Sequence, residues 1–193
     1  MVSLVVVLGI ALLVVVGLLA YNGLVRARNR VSEAWSGVDV QLRRRASLVP
    51  NLVETVAGYA QHERGTLEEV TRARGAAQAG APGADVAASQ DQLTRALGRL
   101  LAVSEQYPQL RASENFQRLQ SELSDIEDRI AYARQFYNRT VLAYNNRVAT
   151  FPSAVLATAF GFRPREYFEA DEAARQEMLI HMRPATPERA NTV

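Results

Sequence analysis

The chain has 193 residues, no cysteine, and 22 basic against 20 acidic side chains, a net charge of +2. That near-balance lacks the basic face of a nucleic-acid binder, and the missing thiols exclude disulfides, thiolate metal sites and cysteine nucleophiles. Every base is an arginine, which reads as the bias of a GC-rich genome. In chain order, the first segment, residues 1–25, carries no charged side chain. Within it, fourteen of the nineteen residues 2–20 are Val, Leu or Ile. As a helix they span roughly 28 Å, a bilayer's hydrocarbon thickness, and their insertion free energies sum to roughly −4 to −8 kcal/mol. A cleaved signal peptide fits less well: no base precedes the run, the run is too long, and Leu18-Leu19-Ala20-Tyr21 lacks a small-x-small cleavage pattern. Arg26, Arg28 and Arg30 follow the span directly. The positive-inside rule therefore predicts an outside N-terminus and a cytoplasmic remainder, with Tyr21 as an interfacial anchor.

The periodicity downstream is helical, and no strand pattern competes with it. A first helix is predicted to run from the span to about Ala46, with Val31, Trp35, Val38 and Leu42 on one face. Ser47-Leu48-Val49-Pro50 reads as a break, with Ser47 as N-cap and Pro50 in the first turn of a second helix that fades near Gly75. Gly80-Ala81-Pro82-Gly83 reads as a loop, and a third helix follows from about Ala87 to just before Pro108. The fourth is the longest: Phe116, Leu119, Leu123, Ile126, Ile130, Ala133, Tyr137, Val141, Tyr144 and Val148 keep a coiled-coil-like three-and-four spacing, with Ser113 as N-cap and Phe151-Pro152 as terminator. The predicted fold is all-α: a transmembrane helix continuing into an antiparallel four-helix bundle over residues 26–150. Residues 151–180 form an aromatic-rich segment, and 181–193 read as a polar, Pro-punctuated, disordered tail. One mismatch stands out: residues 26–46 reach roughly 30 Å as a helix, whereas 113–149 reach about 55 Å.

Several runs together resemble the LemA family. They are Tyr21-Asn22, Arg28-Asn29-Arg30-Val31, Glu33-Ala34-Trp35-Ser36, Val38 to Arg45, Leu48 to Val53 and Gly58-Tyr59-Ala60 with His62-Glu63. Tyr137-Asn138, Tyr144-Asn145, Phe151-Pro152, Phe160-Gly161-Phe162 and Tyr167-Phe168 complete the match. The resemblance implies a bacterial single-pass membrane protein with a helical bundle and brings no catalytic residues. It also implies an association with membrane metallopeptidases and a magnetosome-membrane relative, both pointing to an accessory or scaffolding part.

No catalytic, cofactor or metal site emerges from the residues. His62-Glu63 lacks the second histidine of H-E-x-x-H, whose place is taken by Thr66, and reads as a partly exposed helical pair. Asp39, one residue off the apolar seam, suggests a salt bridge to a neighbouring helix that fixes register, or else a recognition residue. Trp35 reads as core. Arg43-Arg44-Arg45 lies roughly 25 Å along the helix from Arg26, beyond a Debye length of about 8 Å, and reads as a solvated or ion-paired face. Four of the six phenylalanines fall between Phe151 and Phe168. If the fourth helix returns to the membrane, Phe151, Phe160 and Phe162 either lie in the interface or plug the bundle end. The expected function is a non-enzymatic membrane scaffold or adaptor that binds other membrane-associated proteins. The alternative is a self-assembling, lipid-organising protein. A homo-oligomer fits both, although the span lacks G-x-x-x-G.

Overall fold

In a computed structural model, residues 2–77 and 84–168 are described. They form α1 (Val2–Ala57), α2 (Arg64–Ala77), α3 (Ala84–Ser104), a single turn α4 (Pro108–Arg111), α5 (Glu114–Ala149) and α6 (Ser153–Ala159), with no strand among them. The all-α expectation holds. The backbone of the fold is a long antiparallel pair: Gly23 meets Arg147, Trp35 meets Tyr137, Arg45 meets Glu127 and Thr55 meets Asn115. The remaining long helices, α2 and α3, pack on each other and join the pair beyond about residue 42.

The predicted break at Ser47–Pro50 is absent: α1 runs through Pro50 to Ala57. Proline has no amide hydrogen, so the carbonyl four residues back, Ala46, loses its helical donor. Arg74 of α2 supplies the replacement, its Nε donating to the Ala46 oxygen at 2.7 Å. Ser47 is not a cap either; its hydroxyl donates to the Arg44 carbonyl inside the helix. The true break follows at Gly58–Glu63, which places exposed His62 in a turn rather than in a helix. Extending α1 to Ala57 also removes the length mismatch, since residues 21–57 and α5 each reach about 55 Å.

On α5, Phe116, Leu119, Leu123, Ile126, Ile130, Tyr137, Val141 and Tyr144 are all buried, while Ala133 and Val148 pack at the edge. The facing seam of α1 is Leu24, Ala27, Val31, Ala34, Val38, Leu42, Arg45, Val49, Leu52 and Val56. It differs from the expected face in two positions. Ala34 takes the central place, with Trp35 half-buried beside it, and Arg45 occupies a core position of a kind otherwise filled by apolar side chains. The triplet Arg43-Arg44-Arg45 is thus split: Arg43 and Arg44 are exposed and Arg45 is buried.

Candidate functional site at the aromatic end

Past α5 the chain turns at Thr150–Pro152 into α6, which packs on both α1 and α5. α6 ends where the Phe162 amide bonds the Ala157 carbonyl at 2.9 Å and the Gly161 amide reaches Thr158. This Schellman closure needs a left-handed residue, which Gly161 supplies at φ 71°. The short helix is two-faced. Ala157 and Phe162 are buried and Leu156 packs on the core, whereas Phe151 (84% exposed), Val155 (62%) and Phe160 (62%) face outward.

The sequence-derived candidates separate into three groups. Tyr21, Arg28, Phe160 and Phe162 converge. The Tyr21 ring meets Phe160 edge-on at 5.0 Å and Phe162 at 5.8 Å, and the Arg28 guanidinium stands 5.2 Å over the Phe162 ring. Arg26, Arg30 and Phe151 are exposed and take no part in these ring contacts. Asp39 is elsewhere: among the described residues its ion pair is with Arg43 one turn on, at 2.8 Å on the same helix, rather than with a neighbouring helix as expected. Of the two expectations, the plug fits Phe162, which closes the bundle end, while Phe151 and Phe160 stay outside it.

Residues 163–168 then run extended back along α5, and their fastening follows a repeat. The Tyr144 hydroxyl donates to the Arg163 carbonyl at 2.9 Å, and the Tyr137 hydroxyl to that of Glu166 at 3.1 Å. Asn145 pairs with both backbone groups of Arg165, donating at 2.9 Å and accepting at 2.8 Å. Asn138 does the same for Phe168, at 2.9 Å each way. Two Tyr-Asn pairs seven residues apart thus grip backbone sites three residues apart. The spacing is commensurate: seven helical residues rise about 10.5 Å, and three extended ones cover about 10 Å. Phe168, the last described residue of the strap, is buried, tilted against Trp35 at 5.7 Å and under the Arg134 guanidinium at 4.6 Å, while Trp35 also meets Tyr137 edge-on at 5.4 Å. Burial pushes the Tyr137 phenol above its ordinary range, which outweighs the opposing pull of Arg165. It therefore keeps its proton, and its strap bond, throughout the neutral range.

The LemA sequence profile matches residues 34–181 of the chain, from the helix beside Trp35 through the strap. The chain belongs to the LemA family. Among curated LemA-like relatives, magnetosome protein MamQ 2 of Paramagnetospirillum magneticum is 27% identical, over 81% of this chain and 67% of that protein. MamQ of Magnetospirillum gryphiswaldense is 26% identical over the same shares. Protein LemA of Metamycoplasma hominis is 26% identical, over 81% of this chain and 72% of its own. The apolar start of α1 lies outside the family match. It is the one helix among the described residues long and apolar enough to cross a membrane, its side chains from Val2 to Leu19 stand exposed, and with these relatives it fits a membrane protein. Among the same residues no group of three His, Asp or Glu gathers as a metal site. His181 and the expected tail at 181–193 lie outside the described residues.

Two features of this LemA chain escaped the sequence reading. Buried Arg45 gave no signal, because it stood inside a run of three arginines. The strap did leave one: the Tyr-Asn doublet repeats at a heptad interval, which marks a helix face with hydroxyl and amide groups spaced for one extended partner.

Proposed function

We propose that this LemA protein is a non-enzymatic, membrane-tethered helical scaffold that binds other membrane-associated proteins. Its N-terminus lies outside the bacterial plasma membrane and its bundle in the cytoplasm. The observation that carries this reading is the unbroken α1. A helix that passes from an apolar span through Pro50 to Ala57 without a hinge makes the bundle a post fixed to its anchor. Arg26, Arg28 and Arg30 directly after the span support the orientation. A partner-binding face is offered on the side of the post by Tyr132 (71% exposed) and Phe136 (52%), beside a groove lined by Glu33, Gly37 and Gln41 of α1. Large exposed aromatics of this kind are enriched at interfaces. A membrane metallopeptidase is the partner class that the family association suggests.

The test is to purify the tagged full-length protein from mildly crosslinked membranes. The scaffold reading expects a second membrane protein in fixed stoichiometry, lost in a Tyr132→Ser/Phe136→Ser variant that keeps its helical circular dichroism. Recovery of this chain alone in large assemblies contradicts it and favours the lipid-organising alternative.

A further inference from the structure

Up to residue 165, just before exposed Glu166 of the strap, the charge of this chain is sorted along the post. Residues 1–32 and 129–165 hold nine arginines and not one acid, whereas 33–128 hold ten bases and fourteen acids. Antiparallel pairing brings the two acid-free stretches to one end. Six of those arginines gather where the span meets the bundle. Arg26, Arg28 and Arg30 lie within roughly 15 Å of Ala20 along α1. Arg147 donates to the Gly23 carbonyl at 3.0 Å, and Arg163 and Arg165 are held by Tyr144 and Asn145 less than a turn away. All six are exposed.

Between Arg147 and Arg163 lie fifteen consecutive residues without a charge, Val148 to Phe162, and these include α6. A groove of about 430 Å³ between Leu19, Ala20 and Gly23 of α1 and Arg147, Pro152 and Ser153 shows how close the start of α6 comes to the end of the span. The outward side chains Phe151, Val155 and Phe160 thus lie beside the end of the apolar span, Phe160 directly on Tyr21, with the exposed arginines at the same end of the post.

We propose that this end of the bundle is a seat on an anionic leaflet: α6 lies in the headgroup layer with Phe151, Val155 and Phe160 in lipid, and the arginine collar binds phospholipid phosphates. An interfacial helix combines an apolar face with flanking bases in this way, and guanidinium groups grip phosphate oxygens in pairs. The opposite sign of the distal half turns it away from the same surface. The seat rests on residues 2–20 spanning the bilayer, and it adds a second fixed point that holds the post upright on its anchor.

The absence of native cysteine makes the test direct. Single variants Val155→Cys, Ala159→Cys, Tyr132→Cys and Leu12→Cys of the full chain are labelled with an environment-sensitive fluorophore and reconstituted into phosphatidylcholine vesicles with and without phosphatidylglycerol. The seat predicts blue-shifted emission at 155 and 159, quenched by lipids spin-labelled near the headgroup, more strongly in the anionic vesicles, with position 132 unquenched. Labels at 155 and 159 that read like 132, while 12 is quenched by deep spin labels, overturn the seat and leave the span standing. An unquenched label at 12 overturns both. Equal quenching at 155 and 159 in the two vesicle types removes the collar from the proposal.

Discussion

Replacing Arg45 by alanine is expected to cost about 3–5 kcal/mol of bundle stability, the sum of a buried polar group left without its donor and a cavity opened in the seam. Arg45 is 2% exposed, and its guanidinium joins three helices. One terminal nitrogen donates to Glu127 of α5 at 2.7 Å and to Thr94 of α3 at 2.9 Å, and the other to the carbonyl and side-chain oxygen of Gln90. Gln90 in turn donates to the Ala77 carbonyl at the end of α2. Without Arg45, buried Gln90 keeps an oxygen with no donor and the seam acquires a hole between Leu42 and Val49. Thermal unfolding of the full-length protein in mild detergent, followed by helical circular dichroism, should show a midpoint about 6–20 °C lower, at roughly 2–4 °C per kcal/mol for a domain this size. Glu127→Gln should cost far less, because Glu127 is partly solvated. A shift of only a few degrees for Arg45→Ala would mean that the network does not join the helices as described.

The double variant Asn138→Ala/Asn145→Ala is expected to release the strap while the helices persist. It deletes four hydrogen bonds to strap backbone, each worth about 0.5–1.5 kcal/mol net, from a segment whose other anchors among the described residues include Phe162, Phe168 under Arg134 and two tyrosine hydroxyls. Detachment is local, so the global transition barely moves. Its reporter is built in: Trp35, the sole tryptophan, packs on Phe168, and its emission should shift to the red as that ring leaves. Asn146→Ala, at the neighbouring exposed position, is the control and should change nothing. Unchanged Trp35 emission in the double variant would show that the Tyr-Asn repeat does not hold the strap.

These two sites also show what the sequence made legible. The seam of α5 was readable because nearly every step obeyed one period and every buried side chain on it was apolar or tyrosine. The end of α1 was not, because Pro50 is a reliable breaker only when the carbonyl it orphans finds no other donor; that donor, Arg74, lies 28 residues on and is placed by tertiary packing. Arg45 was hidden for a similar reason. A core arginine is stabilised by partners contributed from α3 and α5, and local periodicity carries no trace of them. Trp35 stands beside the seam, where its indole meets Phe168 and Tyr137, while the central place belongs to Ala34, a contact with the strap that periodicity could not show. Periodicity could not decide whether the aromatic segment caps the bundle or faces outward, because Gly161 divides it: Phe162 turns inward just where Phe160 stays out.

If the unbroken α1 holds the bundle upright on its anchor, as proposed, its length fixes the height of the distal turn above the membrane. Gln61, exposed in the turn after α1, takes a single cysteine and a donor fluorophore, and acceptors are placed in the headgroups of proteoliposomes. From Ala20 to Ala57 the helix rises about 55 Å, and an ordinary span tilt of about 20° shortens this only slightly. Energy transfer is therefore expected to place the turn about 50–55 Å above the leaflet. A distance of about 30 Å or less, with the helix at its full 1.5 Å per residue, would mean that the bundle lies down on the membrane and would contradict the upright post.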